Sequence, residues 1–142
     1  MAFIDVRAAY DRCWRPGVFW KLKEAGVSRS CLNLLRCMLA RVTRSVLIRD
    51  QLSEPVDIMT GVPQGSVLSP FLYALFINGL QEAMSLAGLG VVVYGRRVPM
   101  LLFADDIVLI ADSSLELRKM IVVLEEYTRV WRFEVLIICF NY

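Results

Sequence analysis

The chain has 142 residues, 57% of them hydrophobic, with a mean hydropathy of +0.54 and a formal net charge of +2. Its richest apolar windows, 67–77, 98–110 and 135–140, are shorter than the ~18 to 20 residues of a spanning helix or are broken by Pro, Gly or acids, which favours a buried core over a membrane span. With no histidine and no Cys-x-x-Cys spacing among four cysteines, a histidine-based triad and zinc-finger ligand sets are unsupported.

In chain order, AFIDV at 2–6 reads as a strand with Asp5 near its end. Pro16 suits the first turn of a helix that Gly26 ends. Ser28 or Ser30 caps a second helix, whose Leu32, Leu35 and Met38 or Leu39 recur at helical spacing. The run SVLIRDQLSEPVDIM predicts a hairpin turning around Asp50-Gln51. The loop TGVPQGSVLSP then leads to Ser69 as N-cap and Pro70 in the first turn of a helix to Met84. Phe71, Leu72, Leu75, Phe76, Leu80 and Ala83 form its expected core stripe. LGVVVYGRRVPMLLFADDIVLIAD predicts two or three strands, with Arg96-Arg97 at one turn and Asp105-Asp106 at a tighter one. Ser113-Ser114-Leu115-Glu116 matches a capping box for a helix to about Trp131, and FEVLIICF resembles a last strand. No repeat or linker divides the chain, so it reads as one α+β unit.

Asp is common in turns, but Asp105 and Asp106 are two neighbouring charges whose apolar flanks weaken solvent screening. A divalent cation resolves that conflict, and Mg²⁺ takes one or two carboxylates together with phosphate oxygens. A third carboxylate from another strand would complete such a site, and Asp5 is the candidate. Residues 1–50 carry ten Lys/Arg against four Asp/Glu, and the remainder six against ten. A basic first third suits a polyanion such as nucleic acid, or simply solvated helix faces. Cys13, Cys31, Cys37 and Cys139 read as reduced core thiols of an intracellular protein.

Together AFIDVRAAYDR, GVPQGSVLSP and LLFADDIVLIAD, in this order and spacing, resemble the palm motifs of reverse transcriptases. The likeness is greatest to non-LTR retrotransposon enzymes and more distant to group II intron and retron enzymes, and it covers residues 2–133. It implies that 1–142 is a partial reverse transcriptase domain with an α+β fold, a palm-like antiparallel sheet packed on helices. Fingers and thumb would be largely missing, as segments of a longer polyprotein. The implied activity is RNA-directed DNA polymerisation, adding deoxynucleotides to a primer 3′-hydroxyl as part of a retrotransposon-type element. RNA template, DNA primer and deoxynucleoside triphosphates are the implied partners, with no membrane, in nucleus or cytoplasm.

Residue by residue, the resemblance assigns two Mg²⁺ (or Mn²⁺) ions to Asp5, the Val6 carbonyl, Asp105 and Asp106. Tyr10 would lie beneath the incoming sugar and exclude a 2′-hydroxyl. Gln64 and Gly65 would contact the nucleotide and the template strand. Arg7, Arg12 and Arg15 would lie near phosphates or face solvent, and Arg41, Arg44 and Arg49 would approach the primer–template backbone. Asp11, Asp112, Trp14 and Trp131 read as structural. The tail 134–142 diverges from the family pattern and lacks the lysine that the family carries there. A catalytically inactive remnant and a nucleic-acid-binding module therefore stand as alternatives to a polymerase fragment.

Overall fold

A computed structural model describes residues 1–139. Apolar residues at every second position make the first segment a strand, β1 (Ala2–Val6), with Ala2, Ile4 and Val6 buried and Phe3 and Asp5 on the other face. It lies inside a four-stranded antiparallel sheet ordered β10 (Val135–Cys139), β1, β9 (Asp106–Leu109), β8 (Met100–Phe103). The register sets Ile4 opposite Ile107 and Ile137, and Asp5 opposite Asp106 and Leu136. Met100, Ile107 and Leu109 extend the buried face. The opposite face exposes Leu101, Phe103, Leu136 and Ile138. Residues 140–142, the end of the divergent tail, lie outside the described residues.

Helices cover the buried face. They are α1 (Ala9–Arg12), α2 (Arg15–Glu24), α3 (Arg29–Ala40), α4 (Ser69–Leu86) and α5 (Ser114–Trp131). Pro16 occupies the first turn of α2, and the Gly26 N–H closes its end on the Lys23 carbonyl. Ser28 rather than Ser30 caps α3, accepting from the Cys31 N–H at 3.4 Å. Leu39, not Met38, completes its buried stripe. Ser113 Oγ accepts from the Glu116 N–H at 3.1 Å, as the capping box predicts. The Glu116 carboxylate reaches past its own cap to the N–H groups of Asp112 and Gly90, each at 2.9 Å. Those backbone donors hold its carboxyl below the usual range.

Several local expectations shift by one or two residues or by one face. Ser69 does not cap α4: its hydroxyl donates to the Pro63 carbonyl at 2.6 Å, and Leu68 holds the N-cap position. The buried stripe of α4 is Leu72, Tyr73, Phe76, Ile77, Leu80 and Met84, leaving Phe71 exposed. Two short ribbons, β2 (Thr43–Arg44) with β5 (Val56–Asp57) and β3 (Leu47–Ile48) with β4 (Gln51–Leu52), form the expected hairpin. Its turn is Arg49-Asp50, both at positive φ, rather than Asp50-Gln51. Likewise Tyr94-Gly95, with φ of 48° and 75°, turns β6 (Val91–Val93) into β7 (Arg96–Val98). Arg96 and Arg97 are strand residues, and Arg97 donates to the Gly90 carbonyl at 2.7 Å.

An aromatic cluster pins α2, α4 and α5 together. Phe76 meets Trp131 edge-on at 5.7 Å and Phe133 at 5.9 Å, and its carbonyl accepts from the Tyr127 hydroxyl at 3.2 Å. Lys21 Nζ sits 4.4 Å from the Trp131 ring centre. Cys13 is buried, and desolvation pushes its thiol up to about 12. Cys31 and Cys37 are exposed, because they fall on the outer face of α3, so the core-thiol expectation fails for these two. Among the described residues no helix is long and apolar enough to cross a membrane. The α+β arrangement, an antiparallel sheet with helices on one face, matches the architecture the resemblance implies.

Candidate active site

The period-two alternation of β1 and β9 decides where the acids go. Asp5 and Asp106 are paired across the two strands, so both side chains stand on the same, open face of the sheet. They share a cleft of about 350 Å³ with Phe3, Phe103, Val108 and Ile138. Asp105 is not in a strand: with Ala104 it forms the two-residue tip joining β8 to β9. It borders a second cleft, of about 420 Å³, with Tyr10, Gln64, Gly65, Ser69 and Pro70. The hairpin tip thus lies between two clefts, one holding Asp5 and Asp106 and the other Asp105.

Among the described residues no group of three or more acidic, Cys or His side chains is close enough to hold a metal ion by itself. The three acids are therefore near neighbours in the fold rather than a closed cage. Mutual repulsion of bare carboxylates favours such spreading. The donor chemistry still suits a hard divalent cation, because Asp5 and Asp106 offer two carboxylates across one strand pair, and such ions complete their shells with phosphate or water oxygens. Val6 is a core residue, 2% exposed, and its apolar side chain can offer nothing to a metal ion.

The loop carrying Gln64 and Gly65 is stitched to the turn after β1. The Val62 N–H donates to the Tyr10 carbonyl at 2.7 Å, and the Gly61 N–H to the Cys13 carbonyl at 3.0 Å. Gly61 has a φ of 74°, and a Cβ there would run into the backbone carbonyls of Tyr10 and Asp11, so this contact requires glycine. Arg15 Nε donates to the Gly61 carbonyl at 2.6 Å. Its other nitrogens reach the carbonyls of Leu39 at 2.8 Å, Ile58 at 3.0 Å and Thr60 at 3.2 Å. Arg15 is thus a clamp joining the end of α3 to this loop, not a group free for phosphates. Burial lowers its pKa from the ordinary guanidinium value. Arg7 and Arg12 are also engaged, pairing with Glu134 at 3.4 Å and 2.6 Å, and these two cations, Arg12 foremost, pull its carboxyl below the usual range.

Sequence reasoning missed Tyr73. Its ring stacks on Tyr10 at 5.1 Å with 29° between planes, so the ring at the edge of the second cleft rests on α4. The Tyr73 hydroxyl is buried and has no hydrogen-bond partner among the described residues. Burial, with the negative charges of Asp105 and Asp5 adding to it, raises its pKa well above the ordinary phenol value. The run 71–77 is apolar all round, so spacing alone does not single out Tyr73 as a buried position. An unsatisfied buried hydroxyl costs about 1–3 kcal/mol. Tyr73→Phe should therefore raise the melting temperature by roughly 3–9 °C, read by circular dichroism. A lower melting temperature would mean that the hydroxyl has a stabilising partner.

Two alanines beside the site hold left-handed backbone, Ala8 at φ 47° before α1 and Ala104 at φ 53° in the hairpin tip. Each costs on the order of 1 kcal/mol relative to an unstrained residue, and strain of this kind gathers at functional sites.

Comparison with known proteins shows the family to which the chain is similar. The profile of the family described as reverse transcriptase (RNA-dependent DNA polymerase) matches residues 1–136. The RNA-directed DNA polymerase from mobile element jockey of Drosophila funebris is 32% identical over 112 residues, 79% of this chain and 12% of that protein. The probable RNA-directed DNA polymerase from transposon BS of Drosophila melanogaster is 35% identical over 120 residues, again 79% of this chain and 12% of the relative. A retrovirus-related Pol polyprotein from type-1 retrotransposable element R2 of Popillia japonica is 28% identical over 113 residues, 78% of this chain and 16% of its own length. The chain spans well under a quarter of each of these relatives.

Proposed function

Because the chain belongs to the reverse transcriptase family, we propose that Asp5, Asp105 and Asp106 form the acidic end of a nucleotidyl-transfer site. The reaction joins a primer 3′-hydroxyl to the α-phosphate of a deoxynucleoside triphosphate on an RNA template, with pyrophosphate leaving. The observation that carries this reading is the pairing of Asp5 with Asp106 beside a tip whose Asp105 borders the Tyr10–Gln64–Gly65 cleft.

Asp5, Asp105, Asp106 and the Val6 carbonyl are the groups that would hold two Mg²⁺ or Mn²⁺ ions. Bound there, the ions would supply charge neutralisation at the attacking and leaving oxygens. The chain's own groups do the positioning, which provides much of the rate in phosphoryl transfer. Tyr10, supported from behind by Tyr73, offers a flat floor for the sugar. Gln64 and Gly65 border the same cleft, where they would meet the nucleotide and template. A ring beneath the sugar would leave little space for a 2′-hydroxyl. Tyr10→Ala should accordingly raise ribonucleotide incorporation relative to deoxyribonucleotide by roughly tenfold or more, measured by competitive primer extension. Unchanged discrimination in an active chain would remove Tyr10 from that role.

The direct test is extension of a DNA primer on an RNA template with Mg²⁺ or Mn²⁺. Template-dependent product that needs the divalent ion is the expected result. A folded chain that makes none, yet binds the primer–template with steep salt dependence, would replace the enzyme by a nucleic-acid-binding module.

A further inference from the structure

Asp11 reads as structural in the sequence, yet both of its carboxylate oxygens are committed beside the proposed nucleotide cleft. Oδ2 accepts from Gln64 Nε2 at 2.9 Å, and Oδ1 accepts from Arg44 Nη2 at 2.7 Å. The Asp11 backbone carbonyl also accepts from the Thr60 hydroxyl at 3.2 Å. Gln64 borders the cleft, and Asp11 does not line it.

A glutamine amide has one donating and one accepting end, and nothing in its shape fixes which of them turns outward. An ionised carboxylate only accepts. Facing Asp11, the amide can therefore bond in one orientation alone, with its NH₂ toward Asp11. Arg44 occupies the other oxygen and keeps the carboxylate from swinging aside. The Asp11 and Arg44 side chains are 37% and 45% exposed, so solvent screens the pair and its role lies in orientation more than in stability.

We propose that Asp11 is a positioning residue which locks the Gln64 amide with its carbonyl oxygen free, so that this loop receives a hydrogen-bond donor of the bound nucleotide. The proposal rests on the nucleotidyl-transfer reading above. It also assigns Arg44 a place in the site's scaffold rather than on the primer–template backbone.

The test is a cycle of Asp11→Asn, Gln64→Glu and the double variant in the 142-residue chain, read by melting temperature and by primer extension with dTTP as the varied nucleotide. Gln64→Glu sets two carboxylates against each other and should lower the melting temperature. In the double variant the new asparagine amide donates to the new glutamate, so melting temperature should recover and an oxygen again faces outward. Asp11→Asn alone lets the Gln64 amide pair either way round. Its KM for dTTP should rise about tenfold with kcat within about twofold, and the double variant should return KM to within about threefold of the parent. Melting losses that simply add in the double variant would overturn the proposal. So would an unchanged KM in Asp11→Asn. If the parent chain makes no product, the polymerase reading fails, and the melting cycle alone decides whether Asp11 orients Gln64.

Discussion

Asp5→Asn should lower primer extension by about 10³-fold, roughly 4 kcal/mol of transition-state stabilisation at 1.36 kcal/mol per tenfold. The substitution keeps the shape of the side chain and removes its charge. Because the Asp5 side chain stands on the open face of β1, opposite Asp106, it packs into no core, and the substitution leaves the backbone pairing of the strand unchanged. Folding should therefore survive, and circular dichroism melting within about 3 °C of the parent would show that it does. Asp105→Asn should behave alike, since Asp105 borders the cleft that Tyr10, Gln64 and Gly65 share. The measurement is single-turnover extension at saturating nucleotide. Activity within tenfold of the parent would remove either carboxylate from the chemistry.

Phe76→Ala should have the largest effect on stability. The ring is 1% exposed and touches Trp131 and Phe133 edge-on, where α4 and α5 close over the sheet. Truncating a buried Phe to Ala costs about 3–5 kcal/mol, through lost transfer energy and the cavity left behind. Against a total of about 5–15 kcal/mol, that is a large fraction. The melting temperature should fall by roughly 10–15 °C, or the cooperative transition should disappear. Phe76→Leu fills most of the space and should cost less than half as much. A fall under about 3 °C for the alanine variant would mean that the aromatic cluster does not hold the helices together.

Much of this site is legible in the sequence because strands and turns leave local marks. The alternation in AFIDV places Asp5 on the face opposite Ile4, and the apolar runs around Asp105-Asp106 bound a tight turn. What sequence does not reveal is which acid meets which. Asp5 pairs with Asp106 because of a strand register set by contacts about a hundred residues apart, and no local pattern encodes that. The misplaced face of α4 has a similar cause. Residues 71–77, FLYALFI, are apolar all round, so spacing alone is consistent with more than one inward face. Leu72 and Phe76 are buried as expected, but Tyr73 and Ile77 replace Phe71 and Leu75 beside them as fully buried residues.

The turn at Tyr94-Gly95 was open to local reasoning, since glycine takes positive φ without strain, but the adjacent arginines suggest a solvated turn two residues later. Arg15 and Asp11 belong to a different category. Their partners lie 24 to 46 and 33 to 53 residues away along the chain, at carbonyls and side chains that composition cannot single out. Charge alone suggests phosphate contact or solvent for such residues. Geometry makes one a clamp and the other an orienting group.

Manganese titration of the ¹⁵N-labelled chain in the presence of dTTP tests the central claim most directly, because a bound paramagnetic ion broadens the signals of the residues nearest to it. The amide signals of Asp5, Val6, Asp105 and Asp106 should broaden first, at substoichiometric Mn²⁺, and excess Mg²⁺ should restore them. Broadening centred elsewhere, or a titration that leaves Asp5 and Asp105 sharp while other signals disappear, would contradict the assignment of these acids as the metal-holding end of the site.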